Sequence, residues 1–516
     1  MRDVDKPENV PETEEISPGL SSRLQDWALM RATGAERVDG NAIRLQFDGP
    51  DTFDAWIEAI DRAETYIHFE NYILRNDRVG RVFRDALIRK AAQGVQVRVL
   101  YDWVGSWATN RRYWKPFREA GVEVRAFNPP SVRNPFGILQ RDHRKVVCVD
   151  GDVAFVGGFC VGEEWAGKGG HAPWRDTGIE MRGPAAAVCA RAFERIWEQI
   201  GEPVAREARS RPQDVEPVGD TPVWIIEGEP WRSRVYRETQ LIAASARERI
   251  WITDPYFVAP FPVGEALTAA ARDGVEVRIL LPAHNNWPWV GTLSRGGYRG
   301  LLEAGVRIFE WQGPMIHAKT TVADGLWSRI GSSNMNFASL LGNWEIDVGV
   351  LDEDLAAQME GLFLADLTSS VEIVLPRSSA VVPEAGPSAG DEGPDPEAAR
   401  ARTSLDPGRT IQERIRKLRE GPRGSTGWRI ADFVRAGSVL GDALAGHRTL
   451  GREDRTVLGT AAGLILVIAA VSAFFPWLVG WFVAVVAGWA GIILGVRAVI
   501  QAQRARREEE EREGEA

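Results

Sequence analysis

Apolar positions along the chain follow two periods. Short runs rich in Val, Ile and Leu, such as GVQVRVLYD (94–102) and GVEVRILLP (274–282), read as strands. Stretches such as VGRVFRDALIRKAAQ and VGEALTAAARD repeat their apolar positions every three to four residues and read as helices. From about 22 to 375 the two kinds alternate, which predicts an α/β fold with a mostly parallel sheet and helices on its faces. Residues 376–408 are rich in Pro, Gly, Ser and acids and predict a disordered linker. Thr456–Val496 contains no charged residue over 41 positions, about twice the ~20 that one helical membrane crossing needs. Phe474, Pro476 and Trp477 suit a turn at its middle. Arg448, Arg452 and Arg455 before it, and Arg497, Arg504, Arg506 and Arg507 after it, place both ends on the cytoplasmic side. Two transmembrane helices are therefore predicted over 456–496, as a hairpin. Residues 409–455 read as a juxtamembrane helical segment, and WRIADFVRAGSVLGDAL within it suits a membrane-surface helix or an ordinary packing helix equally. The 497–516 tail is charged. Residues 1–21 are acidic without an apolar centre, and read as a disordered lead rather than a secretory signal.

The alternating region repeats itself. ETYIHFENYIL (64–74) resembles RERIWITDPYFV (247–258), and the GVxVR runs at 94 and 274 correspond. EAGVEVRAF (119–127) in turn resembles EAGVRIFEW (303–311). The order is the same in both halves, so one domain has been duplicated, giving 22–210 and 211–375. Each copy ends in a motif. The first is His143, Lys145 and Asp150, followed by Gly157, Gly158 and Cys160; the second is His317, Lys319 and Asp324, followed by Gly331, Ser332 and Asn334. His, Lys, Asp and the first Gly each recur at a spacing of 174 residues, in a chain with only six His and seven Lys.

Side chains alternate across a strand, so each His shares a face with its Lys. Asp150-Gly151 and Asp324-Gly325 each lie between apolar runs, a strong hairpin-turn signal. Turn formation therefore explains both aspartates better than chemistry does. The His–Lys pairs have no such structural reason, since Lys is rarely buried without a partner. Imidazole serves as nucleophile, acid or base near neutrality, and two ammonium groups suit a phosphoryl group. Halves related by a pseudo-twofold axis would bring both motifs to one site, where one histidine attacks phosphorus and the other handles the proton. Asp176 in PWRDTGIEMRG and Glu345 in GNWEIDVGV are candidate carboxylates to orient the histidines; ordinary surface charge explains them as well.

Net charge is −10, which argues against a nucleic-acid partner held by a broad basic surface. Cys148, Cys160 and Cys189 have no metal-ligand spacing, and an odd set fits a reducing compartment. No metal or other cofactor is needed.

The twin motifs resemble those of the phospholipase D superfamily, and are most similar to bacterial cardiolipin synthases. The resemblance covers roughly 50–375 and rests on RDHRKVVCVDGDVAFVGG, PWRDTGIEMRGP, IHAKTTVADGLWSRIGSSNMN and GNWEIDVGV. It implies duplicated phospholipase D-like α/β/α domains with pseudo-twofold symmetry and a shared active site. It further implies that His143 is the nucleophile and His317 the acid/base, that Lys145 and Lys319 bind phosphate, and that Asp176 and Glu345 orient the histidines. Asp150 and Asp324 then count among the active motif, and Gly157, Gly158, Ser332 and Asn334 among the phosphate contacts. The chain departs from the pattern at Cys160, where the family often has Asn, and in carrying its membrane segment C-terminally. The implied activity is phosphatidyl transfer to phosphatidylglycerol, giving cardiolipin, at the cytoplasmic face of the bacterial inner membrane. Hydrolytic phospholipase D is the alternative, and a nuclease a more distant one. Phospholipids and the bilayer are the expected partners; the sequence leaves the oligomeric state open.

Overall fold

The computed structural model describes residues 18–375, apart from 48, 132–136, 168–169 and 233. The linker 376–408, the segment 409–455, the transmembrane pair 456–496 and the tail 497–516 lie outside the described residues, as do 1–17 of the expected lead. Residues 18–21, read as part of that lead, belong to the helix Pro18–Thr33. Among the described residues no helix is long and apolar enough to cross a membrane.

The strands described are β1 (Arg37–Gln46), β2 (Tyr66–Asn71), β3 (Gln96–Asp102), β4 (Glu123–Phe127), β5 (Arg141–Asp142), β6 (Lys145–Val149), β7 (Val153–Gly157), β8 (Gly178–Arg182), β9 (Thr221–Gly228), β10 (Arg249–Thr253), β11 (Glu276–Pro282), β12 (Arg307–Trp311), β13 (Thr320–Ala323), β14 (Trp327–Gly331), β15 (Asn343–Leu351) and β16 (Ser370–Ile373). They pair edge to edge in the order β16-β12-β11-β10-β13-β14-β15-β9-β1-β8-β7-β6-β2-β3-β4, with β5 beside β15. Outward from the central β9–β1 pair, one side runs β15-β14-β13-β10-β11-β12 and the other β8-β7-β6-β2-β3-β4. The duplication seen in the sequence is thus a duplication of strand order.

The sheet is mixed, which corrects the mostly parallel expectation. Among the described strands, only β2-β3-β4, β10-β11-β12 and the short β5–β15 pair run parallel; isolated parallel bridges join Leu74 to Val161 and Arg175 to Ile316. Parallel neighbours need a helical crossover, whereas antiparallel ones can be joined by a tight turn. After its three parallel strands each repeat turns back on itself, through β6–β7 in one half and β13–β14 in the other.

β1 joins the halves by dividing its pairing. Ala42–Gln46 pair with β8, and Arg37, Val38 and Asn41 with β9. Both repeats accordingly fall in one compact unit. Every residue of β6 is buried, and alternate side chains enter different cores. Val147 and Val149 join Phe53, Trp56, Phe83 and Phe155 in a core private to the first half. Val146 and Cys148 join a central core that also contains Val322, Ile330, Ile346 and Val348 of the second. Helices Pro184–Gln199 and Glu353–Leu367 contribute Ala186, Cys189, Leu355 and Phe363 to it. Ile250, Ile252, Trp224 and Trp327 belong to a third core in the second half, which also takes in Leu29 and Ala35 from the N-terminal segment. Each buried Val or Ile stabilises by about 1.5–3 kcal/mol, so the shared core makes the halves a single cooperative object.

Candidate active site

Two short backbone bridges stitch the halves together beside the motif histidines. β5, which ends one residue before His143, pairs in parallel with Asn343 and Trp344 of β15, and the His143 N–H donates to Trp344 O at 2.9 Å. In the second copy Arg175 bridges Ile316 in parallel, and the His317 N–H donates to Arg175 O at 2.6 Å. Each histidine therefore sits beside the residue that precedes a carboxylate of the opposite half.

The side chains complete the exchange. His143 Nδ1 lies 2.9 Å from Glu345 Oε2, and His317 Nδ1 lies 2.7 Å from Asp176 Oδ2. A carboxylate only accepts, so each Nδ1 carries the proton and each Nε2 keeps its lone pair. Glu345 also accepts from Ser332 Oγ (2.6 Å), Ser339 Oγ (2.8 Å) and Asn343 Nδ2 (3.0 Å). Asp176 accepts from Trp165 Nε1 and the Thr177 N–H, both at 2.8 Å. All four members of these pairs are buried. Burial alone would raise both carboxyl groups. The neighbouring histidines, with Lys319 and Trp165 about Asp176 and with Lys145 and Ser332 about Glu345, hold both below the ordinary carboxylate range. Burial lowers His143, helped by Lys145 and opposed by Glu345. Burial and Lys319 push His317 down to about 3 against the pull of Asp176. Both rings rest neutral over ionised partners.

Lys145 and Lys319 are buried as well. Each ammonium donates to the carbonyl of its own histidine, and Lys319 Nζ is 3.0 Å from His317 Nδ1 and 3.2 Å from Nε2. Burial and the charge of Lys145 bring Lys319 down to about 8. The influence of Lys145 on Lys319 and His317, and of Lys319 on His143, marks one electrostatic site fed by both copies.

Two tyrosines missed in the sequence reading belong here. Tyr72 meets His143 edge-on at 4.7 Å between centroids, with Lys145 Nζ 5.0 Å from its ring. Tyr256 meets His317 edge-on at 5.8 Å, with Lys319 Nζ 5.8 Å from its ring. The signal was present, since both lie in the first repeated segment. Trp165, Ser339 and Asn343 carried no such signal.

The structure does not bring the motif aspartates to the histidines. Asp150 lies beyond the far end of β6, about 3.3 Å per residue away, and Asp324 holds the same place after β13. Asp150 accepts from the Glu64, Thr65 and Tyr66 N–H groups, each at 2.8 Å. Asp324 accepts from those of Arg247 (2.7 Å), Glu248 (2.9 Å) and Arg249 (2.8 Å). Both have left-handed backbones, φ 55° and 50°, and both precede a positive-φ glycine, as a tight hairpin turn demands. Their place is in the scaffold, against the active-motif role implied by resemblance.

Gly157 and Gly158 have packing reasons of their own. A Cβ on Gly158 would stand 2.0 Å from Asp176 Oδ1, and one on Gly157 2.5 Å from Gly178 Cα. Ser332 spends its hydroxyl proton on Glu345. Asn334 is buried with its Oδ1 unpartnered. All three cysteines are free and buried. Among the described residues no cluster of His, Cys, Asp and Glu is placed to hold a metal ion.

A duplicated α/β fold carrying two such His–Lys pairs is the architecture of the phospholipase D class. The family model described as "Cardiolipin synthase, PLD-like domain" matches residues 56–197 and 240–367. A cardiolipin synthase of Geobacillus sp. (strain WCH70) is 36% identical over 338 residues, covering 64% of this chain and 67% of that protein. Cardiolipin synthase 2 of Bacillus anthracis is 36% identical over 342 residues, covering 65% and 66%. The match thus spans about two thirds of the length of these relatives. The crystal structure of phosphatidylserine synthase from Haemophilus influenzae Rd KW20 shares the fold at a TM-score of 0.54, with 13% identity over 67% of this chain and 91% of that one. The chain belongs to the cardiolipin synthase, PLD-like domain family, and is an enzyme of the phospholipase D type.

Proposed function

We propose that the chain is a phosphatidyltransferase that makes cardiolipin from two molecules of phosphatidylglycerol through a phosphohistidine. The observation that carries this reading is the pair of buried histidines, each with its Nδ1 on a carboxylate of the opposite half and each beside a lysine. With Nδ1 occupied, His143 Nε2 attacks the phosphodiester phosphorus, and the bond from phosphorus to the departing glycerol breaks. Lys145 and Lys319 hold the phosphoryl oxygens. A bound phosphodiester anion offsets the lysine charge that keeps His317 neutral, so that ring takes up a proton and passes it to the leaving glycerol oxygen. His317 then removes the proton from the hydroxyl of a second phosphatidylglycerol, which attacks phosphorus and frees His143.

A lipid substrate is also supported by the surface around the site. Trp107, Leu139, Trp231, Phe261 and Phe337 are 73, 68, 74, 76 and 53% exposed. They lie on loops or at the first residues of helices, close in the chain to site-bordering positions: after β3, before His143, after the β9 residue that pairs with Glu345, after Tyr256 and after Asn334. Exposed aromatics and leucine of this kind suit insertion at a headgroup layer. With the hairpin expected over 456–496, they would hold the site at the cytoplasmic face of the membrane.

The test uses the purified full chain with phosphatidylglycerol vesicles, with and without phosphatidylethanolamine. Cardiolipin with released glycerol is the expected product. Phosphatidic acid alone would make the enzyme a hydrolase, and DNA cleavage without any lipid product would end the lipid reading. A reporter at Pro476 should lie across the membrane from one at the N-terminus.

A further inference from the structure

The two copies differ where the sequence shows Cys160 opposite Asn334, and the structure holds a second difference that answers it. Tyr66 and Arg249 give corresponding backbone bonds to the motif aspartates. Counting on from them, Asn71 at the end of β2 corresponds to Asp254 just past β10. Each half therefore has one carboxamide across these two positions: Asn71 with Cys160, and Asp254 with Asn334. The second half cannot use Asp254 for a ligand, because its oxygens accept from the Tyr256 N–H (2.7 Å) and the Met335 N–H (2.6 Å).

Asn71 lies in the site. It is fully buried and stands directly across from Lys145 in the β2–β6 ladder, so their side chains share a face. Its Nδ2 donates one bond, to Phe159 O at 3.3 Å, next to Cys160. A carboxamide nitrogen has two N–H groups, so one remains. Its Oδ1 is buried without a partner, and so is that of Asn334; no other side-chain amide oxygen among the described residues is in that state. Buried amides are ordinarily satisfied, so two incompletely bonded ones, one in each half, stand out; a phosphoryl oxygen only accepts, so what such a ligand completes is the spare N–H and not the bare Oδ1. Cys160 feels the charges of Lys145, Asp176 and Lys319, and a thiol cannot replace the lost amide donor.

We infer that Asn71 is the phosphate-binding amide of the first half, taking over from position 160 the contact that Asn334 provides in the second. Its free N–H donates to a phosphoryl oxygen held by Lys145, while the bond to Phe159 O fixes the amide plane. This rests on the phosphoryl-transfer reading of the site and assigns it a residue that the twin motifs do not include.

A rescue experiment tests it on the full chain, reading cardiolipin formation from phosphatidylglycerol vesicles and turnover of bis(p-nitrophenyl) phosphate. Asn71→Ala should lower kcat/KM about tenfold or more on whichever substrate the wild type accepts, since it removes a donor to a charged group. Asn71→Asp, which keeps the shape without the N–H, should fall at least as far. Placing Cys160→Asn in the Asn71→Ala background should recover activity to within about threefold of wild type, by restoring that single donor. A merely structural Asn71 would not be rescued from position 160. Full activity in Asn71→Ala or Asn71→Asp would overturn the inference. So would a double variant as slow as Asn71→Ala at an unchanged melting temperature. A wild type that cleaves the small diester but makes no cardiolipin would sink the lipid reading alone, leaving the assignment of Asn71 to be judged on that diester.

Discussion

His143 and His317 carry the same ring in opposite surroundings. Four donors gather on Glu345, counting His143 itself, whereas Asp176 is held by a tryptophan and a backbone N–H besides His317. If His143 attacks and His317 moves the proton, removing each carboxylate has its own signature. Glu345→Ala should abolish the phosphoenzyme, because the nucleophile loses its orientation. Asp176→Ala should let it accumulate, because water or lipid hydroxyl is no longer activated. Each should slow turnover by about 10²–10⁴-fold, the range for losing an oriented acid–base partner. Quenched-flow trapping of the adduct with radiolabelled phosphatidylglycerol separates the two, and an adduct in Glu345→Ala but not in Asp176→Ala would exchange the roles. Lys319 sets a pH limit. Burial brings its ammonium down to about 8, so it is charged below that pH and loses its charge above it. KM for the phosphodiester should therefore rise as pH increases through about 8. In Lys319→Arg, whose guanidinium does not deprotonate, the alkaline rise should vanish even if the maximal rate falls.

At the scale of elements, the motif aspartates belong to the hairpins. Burial alone would raise the Asp324 carboxyl, but the three backbone N–H groups it accepts hold it below the ordinary value. The sign follows directly: its contribution is complete above the ordinary carboxylate pKa of about 4 and is lost as pH falls through the lower folded value. Asp324→Ala removes those bonds at partly exposed positions and puts a Cβ residue without a local acceptor at φ 50°. A loss of about 1–2 kcal/mol is expected, read as a melting temperature lower by a few degrees at neutral pH. Turnover per folded molecule should stay near wild type; a hundredfold loss in a folded Asp324→Ala would return the residue to the chemistry. These hairpins were legible beforehand because Asp-Gly between apolar runs has few other uses. The sense of the sheet was not. The parallel order that strand–helix alternation predicts holds only for β2–β4 and β10–β12, and nothing local announces that the chain then doubles back. Tyr72 and Tyr256 were visible as repeated letters, but their contact with imidazole needed coordinates. Asp176 and Glu345 were found as types at a spacing, whereas the half each serves is a tertiary fact, set by the bridges at Arg141–Asp142 and Arg175.

At the scale of both repeats together, the reacting groups lie at the seam of two halves that share a core, and exposed Trp107 and Trp231 follow strands that border it. If those side chains meet a bilayer, Trp107→Ser with Trp231→Ser should weaken sedimentation with anionic vesicles about tenfold or more, given ~1.5–3 kcal/mol for burying a large apolar side chain. Turnover of a water-soluble diester should be unaffected. Equal binding by the double variant would remove this face from the membrane contact.

The exchange of carboxylates also bears on how such a chain can change over generations. After an ordinary duplication, one copy is free to drift while the other keeps the activity. Here neither copy contains a complete histidine–carboxylate pair of its own: the partner of His143 is encoded 202 residues downstream, and the partner of His317 lies 141 residues upstream. A substitution at Asp176 is judged by what it does to the second motif, and one at Glu345 by what it does to the first. Under such mutual dependence the repeats are retained or lost together, and asymmetry is tolerated only where a neighbour can answer it, as Asn71 does for Cys160.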